Sequence, residues 1–481
     1  MIVARKKISI NYTFLTNLFF VTFPLSFILG NPSTNLNILL FCFFGILNLK
    51  SKILKIEFDF ALKVVFLFFL VILFSTSLSF IKSLYFEEYE YGNLVRLVKS
   101  ITFFRFFLML LIIQLLFKFD LLNFKYFFIS AGFASILVSV DVIFQFIFGF
   151  NVIGLKPSTL YFYTGFFGDE QIAGGFIKNF SFFAILFITF IFKNENYKSY
   201  IATILIINIL GIAILVSGNR MPLLLFLLGL IILFLFNDKL KRTIVISLVF
   251  LTIFFTSIIS FNEMLKNKYT SLYHQTIGQV ILLIENSKQK NEDEKKLTAL
   301  EKTKKKLKSG YIPTLRQESS HVFGESHRAR LIITALDIWS RNIILGNGIK
   351  SFRMDCQKLF YKNPEYNITV FIEKSKKNRL CSNHPHNYYI EVLTETGIVG
   401  FSLMLIIAFL FCVFIFKNLK IFKENKIQNF IILSATISLI LEMFPFKSTG
   451  SVFTTNDATY IILISSFILS YKNILRSKNF K

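Results

Sequence analysis

Apolar blocks long enough to cross a lipid bilayer recur along this chain, and they constrain its fold more than any other feature. A crossing takes about 20 predominantly apolar residues. Lipid offers no hydrogen-bond partners, so such blocks must bond their own backbone groups and are predicted to be helices. Of the 481 residues, 54% are hydrophobic and only 17% are charged, whereas a soluble chain of this length would form two or three domains with charged surfaces. The sequence predicts an all-α polytopic membrane protein.

About twelve transmembrane helices are predicted from these blocks. They are residues 10–30, 34–49, 60–80, 101–117, 121–149, 172–192, 199–216, 221–236, 243–261, 386–416, 428–446 and 456–471. The basic start, MIVARKK, followed by the first block, is typical of an uncleaved first helix with a cytoplasmic flank.

Lysine and arginine are distributed unequally between the two sides that these helices define. With the N-terminus inside, the inner segments contain 21 of these residues and the short outer segments contain six. The six are Lys82, Arg96, Lys99, Lys156, Arg220 and Lys447. Cytoplasmic loops carry the excess of positive charge. The pattern predicts an inner-membrane protein with an even number of crossings and both termini in the cytoplasm.

One large periplasmic loop, residues 262–385, is predicted between helices 9 and 10. The chain then divides into 1–261 with helices 1–9, this loop, and 386–481 with helices 10–12 and a cytoplasmic tail. A loop of this length is usually functional or partly disordered. Its stretch 285–310 is predicted to be a charged flexible insert, with contact to anionic lipid headgroups as the alternative. Its stretch 311–385 contains aromatic residues and is predicted to fold.

Two of the four cysteines lie in this loop, 25 positions apart. An oxidising periplasm permits a disulfide between Cys356 and Cys381, and two free thiols are the alternative. Cys42 and Cys412 lie in apolar blocks, where small packing residues are expected.

Two histidines stand at the outer end of the tenth predicted helix, in the stretch HPHNYYIEVLTETGIVG at 384–400. Pro385 fits a helix start, which would place His386 in the first turn, facing the loop, with His384 beside it. A neutral imidazole can act as a general base on a hydroxyl, although a histidine at a helix entrance is more often structural. Glu391 and Glu395 point away from His386 by helical geometry.

An arginine opens the eighth predicted helix. Ser217, Gly218 and Asn219 interrupt the apolar run, and Pro222 restarts a helix, so Arg220 is placed at a helix N-terminus on the outer side. Such a terminus attracts anions, and a guanidinium adds a bidentate clamp. The alternative is an arginine that reaches to a lipid phosphate.

Two weaker signals lie in the outer segments. Arg328 and Arg330 precede a helix-like run that ends in a GNG turn at 346–348, and a solvated surface helix is the simpler interpretation. Asp169 and Glu170 stand at the start of the sixth helix, where they are predicted to cap it or, alternatively, to orient an arginine.

The spacing around His386 resembles the O-antigen ligase and polymerase family of bacterial envelope glycan assembly. His386 and Asn387 are followed, after nine residues, by Gly397 and then by Gly400. The pair Asn219-Arg220 is also similar to the family, as is the order from Arg328 to the GNG turn. Two features depart from it: Asn219 replaces the usual serine, and the insert 285–310 leaves open which of Arg328 and Arg330 matches the family's loop arginine.

This resemblance implies a fold of the glycosyltransferase type C-like class and a metal-independent glycosyltransferase without a cofactor. The donor would be a glycan on undecaprenyl pyrophosphate, and the acceptor a sugar hydroxyl, most simply on lipid A–core. His386 would be the base, and Arg220 with Arg328 or Arg330 would bind the pyrophosphate on the periplasmic side. Supporting roles would fall to His384, Asn387, Gly397, Gly400, Asp169 and Glu170. The bilayer is the other partner, and no nucleic-acid partner is implied.

Two other functions stay open at this point. A polymerase of the same family would use a similar donor to extend a lipid-linked chain. A transporter or flippase would require polar groups near the bilayer midplane. The mid-helix candidates Asp141, Gln145 and Glu442 form no obvious pathway in the sequence.

Overall fold

The fold is a bundle of helices in every part of the chain that the computed structural model describes. The described residues are 11–85, 91–159, 162–192, 196–267, 269–270, 327–361, 380–419, 422, 426–448 and 450–479. The insert 285–310 lies outside them, as do residues 311–326 and 362–379 of the stretch that the sequence predicts to fold. No strand longer than an isolated bridge occurs in these ranges, which agrees with the predicted all-α class.

The described ranges contain fifteen α-helices. These are α1 (Tyr12–Val21), α2 (Phe23–Ile28), α3 (Asn31–Leu49), α4 (Phe60–Tyr85), α5 (Tyr91–Lys118), α6 (Phe124–Phe148), α7 (Ala173–Ile191), α8 (Asn196–Val216), α9 (Arg220–Phe236), α10 (Lys241–Phe261), α11 (His327–Trp339), α12 (Ser351–Tyr361), α13 (Tyr388–Lys417), α14 (Ile427–Glu442) and α15 (Thr455–Asn479).

A helix occurs at each of the twelve predicted positions. Eight of these helices, α3 to α8, α10 and α13, are long and apolar enough to cross a membrane. The helices at the other four positions are α1, α9, α14 and α15, of which the first three are shorter apolar helices. The chain is therefore a multi-pass membrane protein by the length and composition of its helices, and the count of twelve crossings stays a prediction.

Helices α7 and α14 form the centre of the bundle. α7 packs against α6, α8, α9 and α14, and nearly every residue of α14 is buried. Helix α10 lies at the periphery, where Val245, Val249 and Ile253 are half exposed at a spacing of four residues. An apolar stripe of this kind on an outer helix is the surface expected to face lipid.

Helix α13 is divided by Gly397, whose φ of 65° and ψ of −167° are not helical. The part after the glycine, 398–417, has a length of about 30 Å at 1.5 Å per residue, which matches the hydrocarbon core of a bilayer. The part before it, 388–396, packs against α11, where Thr394 Oγ1 donates to the Ala335 carbonyl at 3.3 Å. Gly397 thus marks the boundary between a crossing and the segment that leads to the histidines.

Candidate active site

The start of α9 is tied to the start of α7 by one side chain. Gly218 has a φ of +75°, and Asn219 is the N-cap residue, so α9 begins at Arg220. The Asn219 side chain accepts from Gly174 N at 3.1 Å and donates to the Gln171 carbonyl at 3.0 Å. Arg220 is therefore held at a helix N-terminus, as the sequence predicted. Asn219, at the position where the resemblance leads us to expect a serine, reaches across to a second helix.

The predicted capping role of Asp169 and Glu170 is wrong. Helix α7 begins at Ala173, its N-cap residue is Ile172, and no side chain of its own segment bonds its first turn. Both acidic residues are exposed. Asn219 from the neighbouring loop takes this role by accepting from Gly174 N. A cap supplied by a segment 45 residues further along the chain leaves no local sequence signal.

A phenol lies close to Arg220. Tyr269 Oη donates to the Leu215 carbonyl at 3.0 Å. Burial raises the pKa of this phenol, and the positive charge of Arg220 opposes the rise only in part. Tyr269 therefore stays protonated at neutral pH and does not compete for the guanidinium as an anion.

Helices α7, α9, α13, α14 and α15 surround a cavity of about 550 Å³ with their ends. Both Arg220 and Arg328 line it, although they lie 108 positions apart in the chain. Arg330 is not among the lining residues, because it follows Arg328 by two positions on α11 and faces another direction. The titratable groups that line the cavity with the two arginines are Lys178, Tyr388, Glu442, Lys447, Asp457 and Tyr460.

His386 lies immediately before α13 and not in its first turn. Asn387 is the N-cap residue, and its side chain accepts from Tyr389 N at 3.0 Å and Ile390 N at 3.1 Å, so the helix begins at Tyr388. The predicted start at 386 is therefore wrong by two residues, because the asparagine satisfies the first N–H groups and Pro385 does not begin the helix. His386 has a φ of +57°, and its ring centroid lies 4.1 Å from that of His384.

His386 itself is not among the residues that line the cavity, whereas Tyr388, two positions later, is. Two residues of chain span at most about 7 Å, so the Cα atom of His386 lies within that distance of the Cα atom of Tyr388. Asn387 also donates to the Pro445 carbonyl at 2.7 Å, which fixes this turn against the segment between α14 and α15.

Glu391 and Glu395 are bonded away from the histidines, as their positions on the helix predicted. Glu391 accepts from Val452 N at 2.8 Å, and Glu395 accepts from Lys350 N at 2.6 Å. Both are buried. Both carboxylates therefore have a structural role, since each joins α13 to a loop.

The GNG turn at 346–348 and the kink of α13 at Gly397 pack directly against each other. Gly348 N donates to the Glu395 carbonyl at 2.8 Å, and Ile398 N donates to the Ile343 carbonyl at 2.9 Å. A Cβ atom on Gly397 would lie 2.2 Å from the Ile344 carbonyl oxygen, and one on Gly346 would lie 2.5 Å from the Glu395 carbonyl carbon. The GNG turn and the kink of α13 thus form one backbone-to-backbone contact that only glycine permits. Gly400 faces the Thr396 side chain of its own helix.

The family model described as O-antigen ligase matches residues 201–405. This part of the chain is similar to the O-antigen ligase family. The match includes Arg220, Arg328, His386 and both glycines of the kink contact. No curated protein matches the chain.

A buried arginine outside the O-antigen ligase match holds the GNG segment in place. Arg96 of α5 is 5% exposed; its Nε donates to the Ile349 carbonyl at 3.1 Å, and Nη2 donates to the Asn347 carbonyl. In the sequence analysis, Arg96 was noted only as one of six lysines and arginines in the short segments predicted to lie outside. No local pattern could have found it, because its partners lie about 250 positions away.

A buried ionic cluster on the cavity wall also escaped the sequence analysis. Lys178 Nζ lies 2.8 Å from Glu442 Oε2, and Lys447 Nζ contacts Glu442 Oε1. Tyr388 Oη donates to the same carboxylate at 2.8 Å. Glu442 was noted only as an isolated polar residue, and Asp141 and Gln145, noted with it, instead bond the segment between α6 and α7. Elements that lie far apart in sequence therefore meet at this carboxylate.

A disulfide joins α12 to the chain just before the histidine turn. Cys356 of α12 pairs with Cys381, with their Cα atoms 5.7 Å apart. Cys356 lies in a small core with Leu331, Ala335 and Phe352. The crosslink therefore fixes the chain three residues before His384 to the packed pair α11 and α12. Cys42 is buried and Cys412 is exposed, and neither is in a disulfide.

Proposed function

We propose that this protein transfers a glycan from undecaprenyl pyrophosphate to a sugar hydroxyl on lipid A–core. The observation that carries the proposal is that Arg220 and Arg328, from distant parts of the O-antigen ligase domain, line one cavity beside the turn that bears His386. Cavities lined by convergent charged groups are the usual sites of small-molecule and lipid headgroup chemistry.

The proposed topology places this cavity on the periplasmic side of the inner membrane. The helices α1, α9, α14 and α15 would complete twelve crossings with the eight longer ones. Residues 1–261, 262–385 and 386–481 would then be nine crossings, the periplasmic loop, and three crossings with the cytoplasmic tail, in a glycosyltransferase type C-like arrangement. The lysine and arginine bias of the inner segments supports this orientation.

The arginines would stabilise the leaving group. As the bond between the anomeric carbon and the pyrophosphate oxygen breaks, its electron pair stays on the pyrophosphate, which gains negative charge. Arg220 at the N-terminus of α9 and Arg328 on α11 would bind that charge, and the exclusion of water by the surrounding helices strengthens the interaction. These side chains supply the charge stabilisation that we propose for the reaction.

His386 would act on the acceptor. One imidazole nitrogen takes the proton of the acceptor hydroxyl, the hydroxyl oxygen bonds to the anomeric carbon, and the pyrophosphate leaves. The products are the extended acceptor, undecaprenyl pyrophosphate and a protonated histidine. The proton then passes to solvent or to the released pyrophosphate.

Arg328 and Arg330 offer a matched pair for testing the donor site. Arg328→Ala is expected to lower glycan transfer by about 100-fold, because a charge that stabilises the leaving group is lost. Arg330→Ala, two residues away on the same helix, is expected to change transfer by less than about threefold. The measurement is transfer by purified protein at equal amounts of folded variant. Equal losses in both variants would contradict the assignment of Arg328.

Deletion of the protein tests the reaction itself. We expect surface polymer linked to lipid A to disappear while polymer accumulates on undecaprenyl pyrophosphate. A single repeat unit left on the core would instead identify a polymerase. Unchanged surface glycan in the deletion strain would contradict both the ligase and the polymerase function and leave transport as the function to test.

A further inference from the structure

An arginine lies on a membrane-facing part of α5. Arg105 is within the stretch of this helix that is apolar enough to cross a membrane, and its side chain is partly buried. Ile101 and Leu108, four positions before it and three after it, share its side of the helix and are 55% and 37% exposed. On α3, which packs against α5, Leu36 and Leu39 are 57% and 60% exposed. Exposed apolar side chains on outer helices are expected to contact lipid, so Arg105 stands at a lipid-facing surface.

The acceptors that hold the Arg105 guanidinium are all uncharged. Nη1 donates to the Thr102 carbonyl at 2.9 Å, and Nη2 donates to Asn35 Oδ1 at 3.1 Å and to Thr455 Oγ1 at 3.3 Å. The Nε N–H group is buried and has no acceptor. Within the described ranges, no carboxylate pairs with this arginine. A cation without a counter-ion is costly at the edge of a bilayer, so an anion from outside the chain is expected to complete the site.

The guanidinium is fixed where the starts of two other helices meet α5. Asn35 lies in the second turn of α3, Thr455 is the first residue of α15, and Thr455 Oγ1 donates to Asn35 Oδ1 at 3.4 Å. The guanidinium carbon lies 4.4 Å from the centroid of the Phe106 ring, which is buried. In the proposed topology the starts of α3 and α15 lie on the outer side, so Arg105 would stand near the headgroups of the outer lipid layer.

We infer that Arg105, held in place by Asn35 and Thr455, binds the phosphate group of a lipid in the outer half of the bilayer. A guanidinium suits phosphate because its planar N–H groups match the phosphate oxygens. Nη1 has a second N–H group besides the one that bonds Thr102. A lipid is favoured over a free anion because the exposed side chains around Arg105 are apolar and can pack against acyl chains.

This site lies beside the candidate active site but does not depend on the proposed reaction. Thr455 is followed directly by Asn456 and Asp457, which line the cavity. A lipid whose phosphate is bound by Arg105 would therefore lie next to the wall that α15 contributes to the cavity. The lipid could be a phospholipid of the bilayer or a phosphorylated glycolipid, since both carry the same group.

The binding of dioleoylphosphatidylglycerol to the purified full-length protein in an uncharged detergent tests the inference, with bound lipid counted by native mass spectrometry. Arg105→Gln is expected to weaken binding by about tenfold, because a charge-assisted contact with phosphate is lost while the new side chain can still bond Asn35. Lys99→Gln, which removes an exposed cation from the same helix, is the matched control and should bind like the unaltered protein. Dioleoylglycerol, with the same acyl chains and no phosphate, should bind about tenfold more weakly than the phospholipid.

Two competing ligands distinguish the sources of the phosphate. Lipid A that displaces phosphatidylglycerol more effectively than added phosphatidylglycerol would identify a phosphorylated glycolipid as the ligand, and weaker displacement would identify a phospholipid. Both results support the inference. Inorganic phosphate that displaces the phospholipid at equal concentration would show a site for free anions and would overturn it.

Equal binding of phosphatidylglycerol by the Arg105→Gln protein and the unaltered protein would also overturn the inference. If Arg105→Gln does not fold, modification of the unaltered protein by phenylglyoxal, which reacts with arginine, replaces it. Phosphatidylglycerol should slow the modification of Arg105 by about fivefold relative to dioleoylglycerol. Equal rates of modification with the two lipids would show that the phosphate does not contact Arg105.

Discussion

Replacing His386 with alanine is expected to reduce glycan transfer by about 10²- to 10⁴-fold, the usual contribution of a general base. The imidazole lies in the turn before α13, and the methyl group that replaces it cannot take the acceptor's proton. Binding of pyrophosphate should change little, because His386 is not among the residues that line the cavity. The measurement is the rate of transfer at saturating donor, with pyrophosphate affinity determined on the same sample.

His384→Ala is the control for this change. The two rings are 4.1 Å apart, so both substitutions disturb the same turn, but the family spacing starts at His386. We expect His384→Ala to retain at least about a tenth of the activity. Transfer at the unaltered rate by a folded His386→Ala protein would remove the base from the proposed mechanism and favour transport.

Gly397→Ala is expected to destabilise the protein by more than ~3 kcal/mol, enough to prevent recovery of folded protein from membranes. The added Cβ would lie 2.2 Å from the Ile344 carbonyl oxygen. The backbone angles of Gly397 also belong to a region that essentially only glycine adopts. Either the kink must straighten or the GNG segment must move away, and both changes break the hydrogen bonds between them.

Gly149→Ala measures the cost of an unfavourable backbone conformation at a site where the added Cβ meets no other atom. Gly149 has a φ of +79° and a ψ of −1° at the C-cap of α6, and among the described residues no atom lies within 4 Å of the position that a Cβ would take. Alanine there should cost only about 1 kcal/mol. The yield of folded protein in the same detergent, with thermal unfolding of whatever folded protein is recovered, provides the comparison. Equal stabilities for Gly397→Ala and Gly149→Ala would show that the kink contact contributes little.

The positions of the membrane helices could be predicted because hydropathy is a local property. Each apolar block must bond its own backbone in lipid, so a window of the sequence contains the information. Helix α5 begins at Tyr91 and not near 101, because its first turns contain Asn93 and Arg96, which lower the local hydropathy. Asn93 accepts from Arg96, and Arg96 also donates to the distant Ile349 carbonyl. Polar residues whose partners lie elsewhere in the chain make a helix look shorter than it is.

The candidate site could be predicted only where a residue interrupts a pattern. Arg220 stands at a break in an apolar run, and the histidines stand at a helix start, so both attracted a functional interpretation. Lys178 gave no comparable signal, because one lysine among the apolar residues of α7 resembles a charge that reaches to the membrane surface. Its pairing with Glu442, 264 positions later, depends on the packing of α7 against α14.

The contact between the GNG turn and the kink of α13 has a consequence for how distant relatives can be compared. It is made by main-chain N–H and carbonyl groups, which every residue type except proline provides. Substitutions at Ile343, Ile344 or Ile398 can therefore accumulate without breaking it, whereas the glycines and the register between them cannot change. Divergent homologues should share this pairing of glycine positions even where the identities around it have been lost.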